Sequence, residues 1–476
     1  MNDSHVALTK PLTLSRNAFF WGFWWLLAAA LVGFTWNVRP VMSPNDASRW
    51  DTVWSLVEYN TYEIFDTTAA GDKQQFETID KVVRRHDGKT ISSKPPLLPA
   101  VIAGFVMAVK PIVGEPFTKD QRVIGRPTIP GSINIYAKLV LWVFQILPFL
   151  AALYLFRRFL DQHARTDYAW ILSIVTMGMG TLVTGYLVTL NNHVIAASFG
   201  FIATYHLVRI WYDGKQEWWR FALAGFCAGW TGANELPAGL FCAIAALVAV
   251  IANWKRGIFA FLPPLGLVTI AFFYTNYLAV GDPAKPWDVN NFKPAYMQKD
   301  LYQTDASGQP SYWASKDKSG IDALNDHPEP EWLYCVHSFI GHHGLFSLSP
   351  ILVFAAIGLG RNLFGRDKTL FGFGWPVLVV SIAVCVFYLH FNDQRNYGGF
   401  CHGLRWIQWM NLVWLMFLPF AIDAFAIDAA TNNRWLVPVS WGALTISVLS
   451  VFDTWYSPWS RAWLHRILLF AGVIDY

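Results

Sequence analysis

The sequence predicts an all-α polytopic membrane protein with about eleven transmembrane helices and interfacial helices in its first outer loop, and three observations carry that prediction. Of 476 residues 54% are apolar and only 14% charged, where a soluble domain carries about 25% charged residues. Apolar runs near twenty residues recur along the chain, the length that crosses ~30 Å of hydrocarbon. The chain also holds 25 Trp, 36 Phe and 18 Tyr. This composition excludes a cytosolic enzyme and a disordered chain. A net charge of +4, with Lys and Arg scattered among apolar runs, argues against a nucleic-acid partner.

Taken in order, the run 19–36 follows Lys10 and Arg16 in the manner of a signal peptide. It is long enough to span and no small-x-small cleavage site follows, so it reads as an uncleaved first helix. Further spans are expected at 134–156, 168–188, 193–211, 219–234, 236–253, 258–279, 346–362, 370–390, 404–424 and 434–452, with the first at 18–37. If these eleven alternate, Lys10 and Arg16, Arg157, Arg158 and Arg165, Arg209, Lys215 and Arg220, Lys255 and Arg256, Arg361, Arg366 and Lys368, and Arg434 all fall on one face. Basic flanks stay cytoplasmic, which puts the N-terminus inside and the C-terminus outside.

The stretch 97–109 would invert every later loop if it spanned. Bounded by Pro95, Pro96, Pro99 and Pro111, it reads as an interfacial or re-entrant helix, and the tail from Trp459 mixes Trp and Arg with an apolar face in the same way. One membrane-embedded domain over 1–476 is therefore expected, with two extracytoplasmic segments, 38–133 and 280–345, the second a cap or lid. Function should reside in these loops on a rigid scaffold. No fixed-period repeat and no Gly-rich phosphate loop is present. Five cysteines form no CxxC pair, and Cys335 and Cys401 could bridge in an oxidising compartment.

In the first outer segment Trp50, Val53, Trp54 and Val57 recur at helical spacing, with Asp46 and Arg49 near the start. Asn45 or Asp46 could simply cap this helix; alternatively Asp46 is a carboxylate base at the lipid–water boundary. Downstream, Asp87-Gly88 marks a turn, and Lys94 precedes two prolines that pin its backbone, so it could hold a phosphate or merely snorkel.

These residues resemble the GT-C superfamily of membrane glycosyltransferases, most closely the branch of the lipid A aminoarabinose transferase and the protein O-mannosyltransferases. Asp46, Arg49 and Trp50 match the family's acidic residue, Arg and aromatic of the first outer loop, and Lys94-Pro95-Pro96 its Lys-Pro-Pro. Where those relatives have Asp-Glu this chain has Asp46-Ala47, so a second acid either comes from elsewhere or is dispensable: Asp80 is the favoured candidate beside Asp51 and Glu58. The pattern from Tyr397 through Gly398, Gly399, His402 and Gly403 to Arg405 resembles another family segment, and His193 sits where several relatives have a His.

The resemblance implies transfer of a sugar from a polyprenyl-phosphate donor to an acceptor (glycan, lipid or protein) on the extracytoplasmic face of a bacterial inner membrane. Asp46 would be the catalytic base; Lys94, Arg405 and Arg49 would hold the donor phosphate; His193, Glu235, Tyr397 and His402 would line the cavity. Arg405 could instead anchor a headgroup and Glu235 lie in a solvated turn. No cofactor is required by this chemistry. A divalent metal on His337, His342 and His343, with His390 and His402 nearby, is conceivable, but no His-x-x-x-His pair or adjacent acid supports it. Two other functions compete: a transporter or flippase for lipid-linked sugars, which predicts charged, broken helices at mid-membrane, and a non-catalytic assembly protein of the same fold.

Overall fold

The computed structural model describes residues 15–39, 41–64, 76, 78–114, 132–316, 318, 320–325, 329–365, 369–392, 394–428 and 436–475. The expected Lys10, Arg366, Lys368 and Arg434 lie outside them.

The chain is an all-α polytopic membrane protein. Helix α1 (Arg16–Asn37) starts where the Ser15 hydroxyl accepts from the Ala18 amide at 3.2 Å. Next come α2 (Pro44–Tyr59), a small antiparallel pair β1 (Lys81–Val83) and β2 (Thr90–Ser92), and α3 (Leu97–Val113). The bundle continues with α4 (Asn134–His163), α5 (Asp167–Val188), α6 (Asn192–Tyr212), α7 (Trp218–Asn234), α8 (Leu236–Ala252) and α9 (Trp254–Val280). It closes with α10 (Glu331–Phe339), α11 (Ile351–Phe364), α12 (Phe371–Phe391), α13 (Arg405–Ala426), α14 (Val437–Tyr456) and the short α15 (Trp463–Phe470).

A helix meets each of the eleven expected spans, and eight are long and apolar enough to cross a membrane. The other three are shorter for local reasons. α7 and α8 are parted by the extended Glu235, and α11 begins only after Pro350, which cannot donate the amide that would continue the preceding turn, Leu345–Leu348.

Burial sorts the helices into layers. α6 is 89% buried over its apolar window and α9 only 28%, so α6 is the core and α9, through exposed Leu267 and Ile270, faces lipid. α11 and α13 touch backbone to backbone: a Cβ on Gly358 would stand 1.9 Å from the Phe417 carbonyl oxygen. α3 buries Leu98, Ile102 and Val106 in a cluster with Trp50 and Val53 of α2 and leaves Met107 and Ile112 exposed.

The two ends of the bundle differ in chemistry. At one, Arg16 pairs with Asp167 at 2.6 Å, Arg209 with Gln162, and Arg256 with Gln216 at 3.3 Å. There the Asp423 carboxylate accepts from the Arg165 and Thr166 amides at 2.7 and 2.9 Å. α6 carries His193 to the other end from Arg209, and α13 carries Arg405 there from Asp423, about 25 Å away in each case at 1.5 Å per residue. The segment between α1 and α4 and the segment after α9 contact each other. Arg85 grips Asp300 through Nε at 2.5 Å and Nη2 at 2.7 Å, and the Trp313 indole donates to the Ile79 carbonyl at 3.0 Å.

Candidate functional site

The site starts at the first turn of α2. Ser43 caps this helix, its hydroxyl accepting from the Asp46 amide at 3.2 Å, and Pro44 fills the first helical position, where no amide is missed. Neither Asn45 nor Asp46 is therefore the cap. Asp46 is fully buried, and its Oδ2 accepts from the Met42 amide at 3.1 Å and from the Thr189 hydroxyl at 2.7 Å. The first contact reaches back like a capping box displaced by one residue. Oδ1 is buried with no hydrogen-bond partner. Burial pushes the Asp46 carboxyl up to about 6, against the Thr189 and Met42 bonds and the charge of Arg49.

One turn on, Arg49 donates through Nη2 to Asn192 Oδ1 at 2.6 Å and through Nη1 to the Asn45 carbonyl at 3.2 Å. Asn192 passes the contact along, its Nδ2 donating to Glu235 Oε1 and to the Asn234 carbonyl, both at 2.8 Å. Glu235 also lies against the His193 ring. Burial lifts the Glu235 carboxyl well above its ordinary range, although Arg405, Arg49 and the Asn192 hydrogen bond oppose this.

Lys94 arrives from the hairpin side. The β1–β2 pair fixes Asp80 just before it: the Ser48 hydroxyl donates to the Asp80 carbonyl at 2.6 Å, and the Asp80 carboxylate meets Lys94 Nζ at 2.9 Å. The expected second acid is thus engaged by the expected phosphate ligand. Of the other two candidates, Asp51 accepts from the Phe76 amide at 3.0 Å, and Glu58 is exposed.

Arg405 completes the set. The loop before it turns through Tyr397, Gly398, Gly399 and Gly403, all at positive φ. Gly403 has a second reason to be glycine: a Cβ there would stand 2.5 Å from Leu182. Arg405 donates through Nη2 to the Gly398 carbonyl at 2.5 Å, keeps a buried Nε without a partner, and lies over the Trp459 ring at 4.7 Å. Trp459 donates through Nε1 to the Thr189 hydroxyl at 3.0 Å, and that hydroxyl bonds Asp46. Arg405, Trp459, Thr189 and Asp46 therefore form one chain of contacts.

The three cations feel one another. Burial lowers Arg49 to about 10, with Asp46 holding it up and Arg405 pushing it further down. Burial likewise lowers Lys94, and Arg49 and Arg405 add repulsion that Asp80 partly offsets. Three buried cations thus stand among Asp46, Asp80 and Glu235, and burial drives Asp46 and Glu235 toward their neutral forms. Such a cluster is costly unless an anion joins it.

Seven residues singled out in the sequence thus come together: Asp46, Arg49, Asp80, Lys94, His193, Glu235 and Arg405. Tyr397 and His402 are engaged elsewhere. The Tyr397 hydroxyl bonds Glu329 and its ring stacks on His343 at 4.3 Å, while His402 Nε2 meets Asp453 at 2.7 Å. They fasten the Arg405 loop, as does the Leu404 amide donating to the His343 carbonyl at 3.0 Å. Thr189, Asn192 and Trp459 were not singled out. Asn192 reads as a helix-start residue and Trp459 as an interfacial aromatic, and nothing in the sequence marks Thr189. Cys335 and Cys401 are free thiols, not a bridge.

No protein-family model matches this chain, and no curated protein matches it. Among solved structures it is similar to the archaeal oligosaccharyltransferase AglB from Archaeoglobus fulgidus, in complex with an inhibitory peptide and a dolichol-phosphate, at a TM-score of 0.49 and 11% identity. The alignment covers 94% of this chain and 56% of that one, so the chain spans about half that protein's length.

Proposed function

We propose that this chain is a membrane glycosyltransferase that moves a sugar from a polyprenyl-phosphate donor to a hydroxyl acceptor on the extracytoplasmic face. The observation that carries the reading is one arrangement: a buried carboxylate with a partnerless oxygen, linked through Thr189 and Trp459 to a cluster of three buried cations. A phosphate answers the cluster's need for negative charge, and a proton acceptor beside it suits a hydroxyl nucleophile. The motif resemblance to the GT-C superfamily, in the branch of the lipid A aminoarabinose transferase and the protein O-mannosyltransferases, points the same way.

The proton and charge movements follow from the side chains. Thr189 and Met42 occupy Asp46 Oδ2, which leaves Oδ1 to take the acceptor proton as its oxygen attacks the anomeric carbon. The bond from that carbon to the phosphate oxygen breaks on the opposite face, so the sugar inverts, and the lipid phosphate leaves with the electron pair. Arg405 and Arg49 would grip that phosphate through guanidinium forks. Lys94, aimed by Asp80, would offset the charge growing on the leaving oxygen. Asp80 then serves as a positioning residue. Charge neutralisation falls to these cations, and no step is assigned to a metal or nucleotide. The basic end of the bundle would face the cytoplasm, as Lys and Arg loops do in a bacterial inner membrane.

The test is incubation of purified protein with a panel of polyprenyl-phosphate monosaccharides, following release of free polyprenyl phosphate. Turnover in the wild type that vanishes in Asp46→Asn supports the reading. Lipid binding without turnover, unchanged by the substitution, would overturn it in favour of a transporter or an assembly protein.

A further inference from the structure

We propose that His342, His343 and His465 form a metal site, independent of the transfer reaction, that binds a divalent transition ion of the zinc class and fastens the loop carrying Arg405. One ligand nitrogen from each lies within 4.8 Å of the others, and all three side chains are fully buried. A tetrahedral ion with nitrogen bonds of about 2.1 Å needs ligand atoms roughly 3.4 Å apart, so closure asks for side-chain shifts of about 1 Å. A second group, Glu329, His337 and His342, shares His342 and puts a carboxylate next to the site.

Two features favour an ion over plain packing. Imidazoles are poor core material unless their nitrogens are satisfied, yet the buried His343 Nε2 has no partner. His342 and His343 turn their Nδ1 atoms to each other at 2.5 Å, so one Nδ1 holds the shared proton and the ring that carries it presents a lone pair at Nε2, while the other ring gives up this contact to offer its Nδ1 lone pair to an ion. Neutral nitrogen ligands suit zinc and its neighbours far better than magnesium or calcium.

The sequence pattern concealed this group because His465 lies over 120 residues from the other two. The other expected histidines turn away, His390 to Glu331 and His402 to Asp453, each at 2.7 Å. The consequence for the rest of the molecule is positional. The His343 carbonyl accepts from the Leu404 amide and its ring stacks on Tyr397, so an ion there would fix both ends of the glycine loop before Arg405.

The experiment uses full-length protein in detergent, stripped with chelator and titrated with Zn²⁺, reading metal content by mass spectrometry and the unfolding temperature. One Zn²⁺ per chain and a raised Tm are expected for the wild type. His465→Gln should weaken binding at least about tenfold, and His390→Gln should leave it unchanged. Substoichiometric zinc in the wild type, or equal binding in His465→Gln, would overturn the proposal and leave the group as stacked neutral rings. Should His465→Gln fail to fold, Co²⁺ loaded into the wild type decides: intense visible d–d absorption of a tetrahedral nitrogen site supports the proposal, and the weak spectrum of octahedral hydrated Co²⁺ overturns it.

Discussion

Asp46 ties stability to pH. Its carboxyl is held at about 6 against an ordinary 3.8, so the folded chain binds this proton more tightly than the unfolded chain does. The contribution favours folding below about pH 4 and becomes a cost, on the order of 3 kcal/mol, as pH rises through 6. Asp46→Asn can still accept from Thr189 and Met42 and should raise Tm above pH 6, the gain disappearing near pH 4, while transfer is lost; thermal melts across that range check it. In the wild type, kcat/KM should fall as pH drops through about 6, because the base becomes protonated. Arg405→Lys loses the fork and the stacking on Trp459 and should weaken donor binding about 10- to 100-fold with little change in Tm, read by lipid titration. Asp46, Arg49 and Lys94 were legible through the motif resemblance, and Arg405 also because charge at the edge of an apolar run is expensive. Thr189 and Asn192 were not, since a neutral polar residue beside a helix start reads as ordinary capping.

Elements explain how those side chains are aimed. The glycine loop before Arg405 is the most constrained of them: Gly403→Ala meets both a positive φ of 70° and the Leu182 methyl at 2.5 Å. It should cost about 1–3 kcal/mol and displace Arg405, so that Tm and donor affinity fall together. The first turn of α6 is a second aiming device, with Asn192 bridging Arg49 to Glu235. Helix positions were readable from hydropathy, but helix ends were not always so. The expected span at 346–362 starts late because Pro350 breaks it, and the turn at Glu235 is buried rather than solvated.

At the scale of the whole molecule, the basic loops and the cation cluster occupy opposite ends of α6 and α13. The first was foreseen from Lys and Arg placement alone, and the second from motifs. That the two outer segments meet through Arg85 and Asp300 could not be read, because pairing across more than 200 residues leaves no local pattern. The opposed ends make a topology prediction. In a chain lacking its native cysteines, Ser307→Cys should react with an impermeant maleimide in intact cells, whereas Lys215→Cys should react only after permeabilisation; the reverse pattern would place the site in the cytoplasm.

The contact from Trp459 to Thr189 has a consequence for biogenesis. Thr189 and Asp46 emerge early from the ribosome, but the ring that covers Arg405 follows the last span. Until it arrives, Arg405 lacks the ring that covers it, and a nascent chain holds this guanidinium open to water or passing lipid. Pairing over such sequence distance is slow, so insertion would run ahead of site closure, and chains stalled before Trp459 would be membrane-integrated yet unable to assemble the pocket.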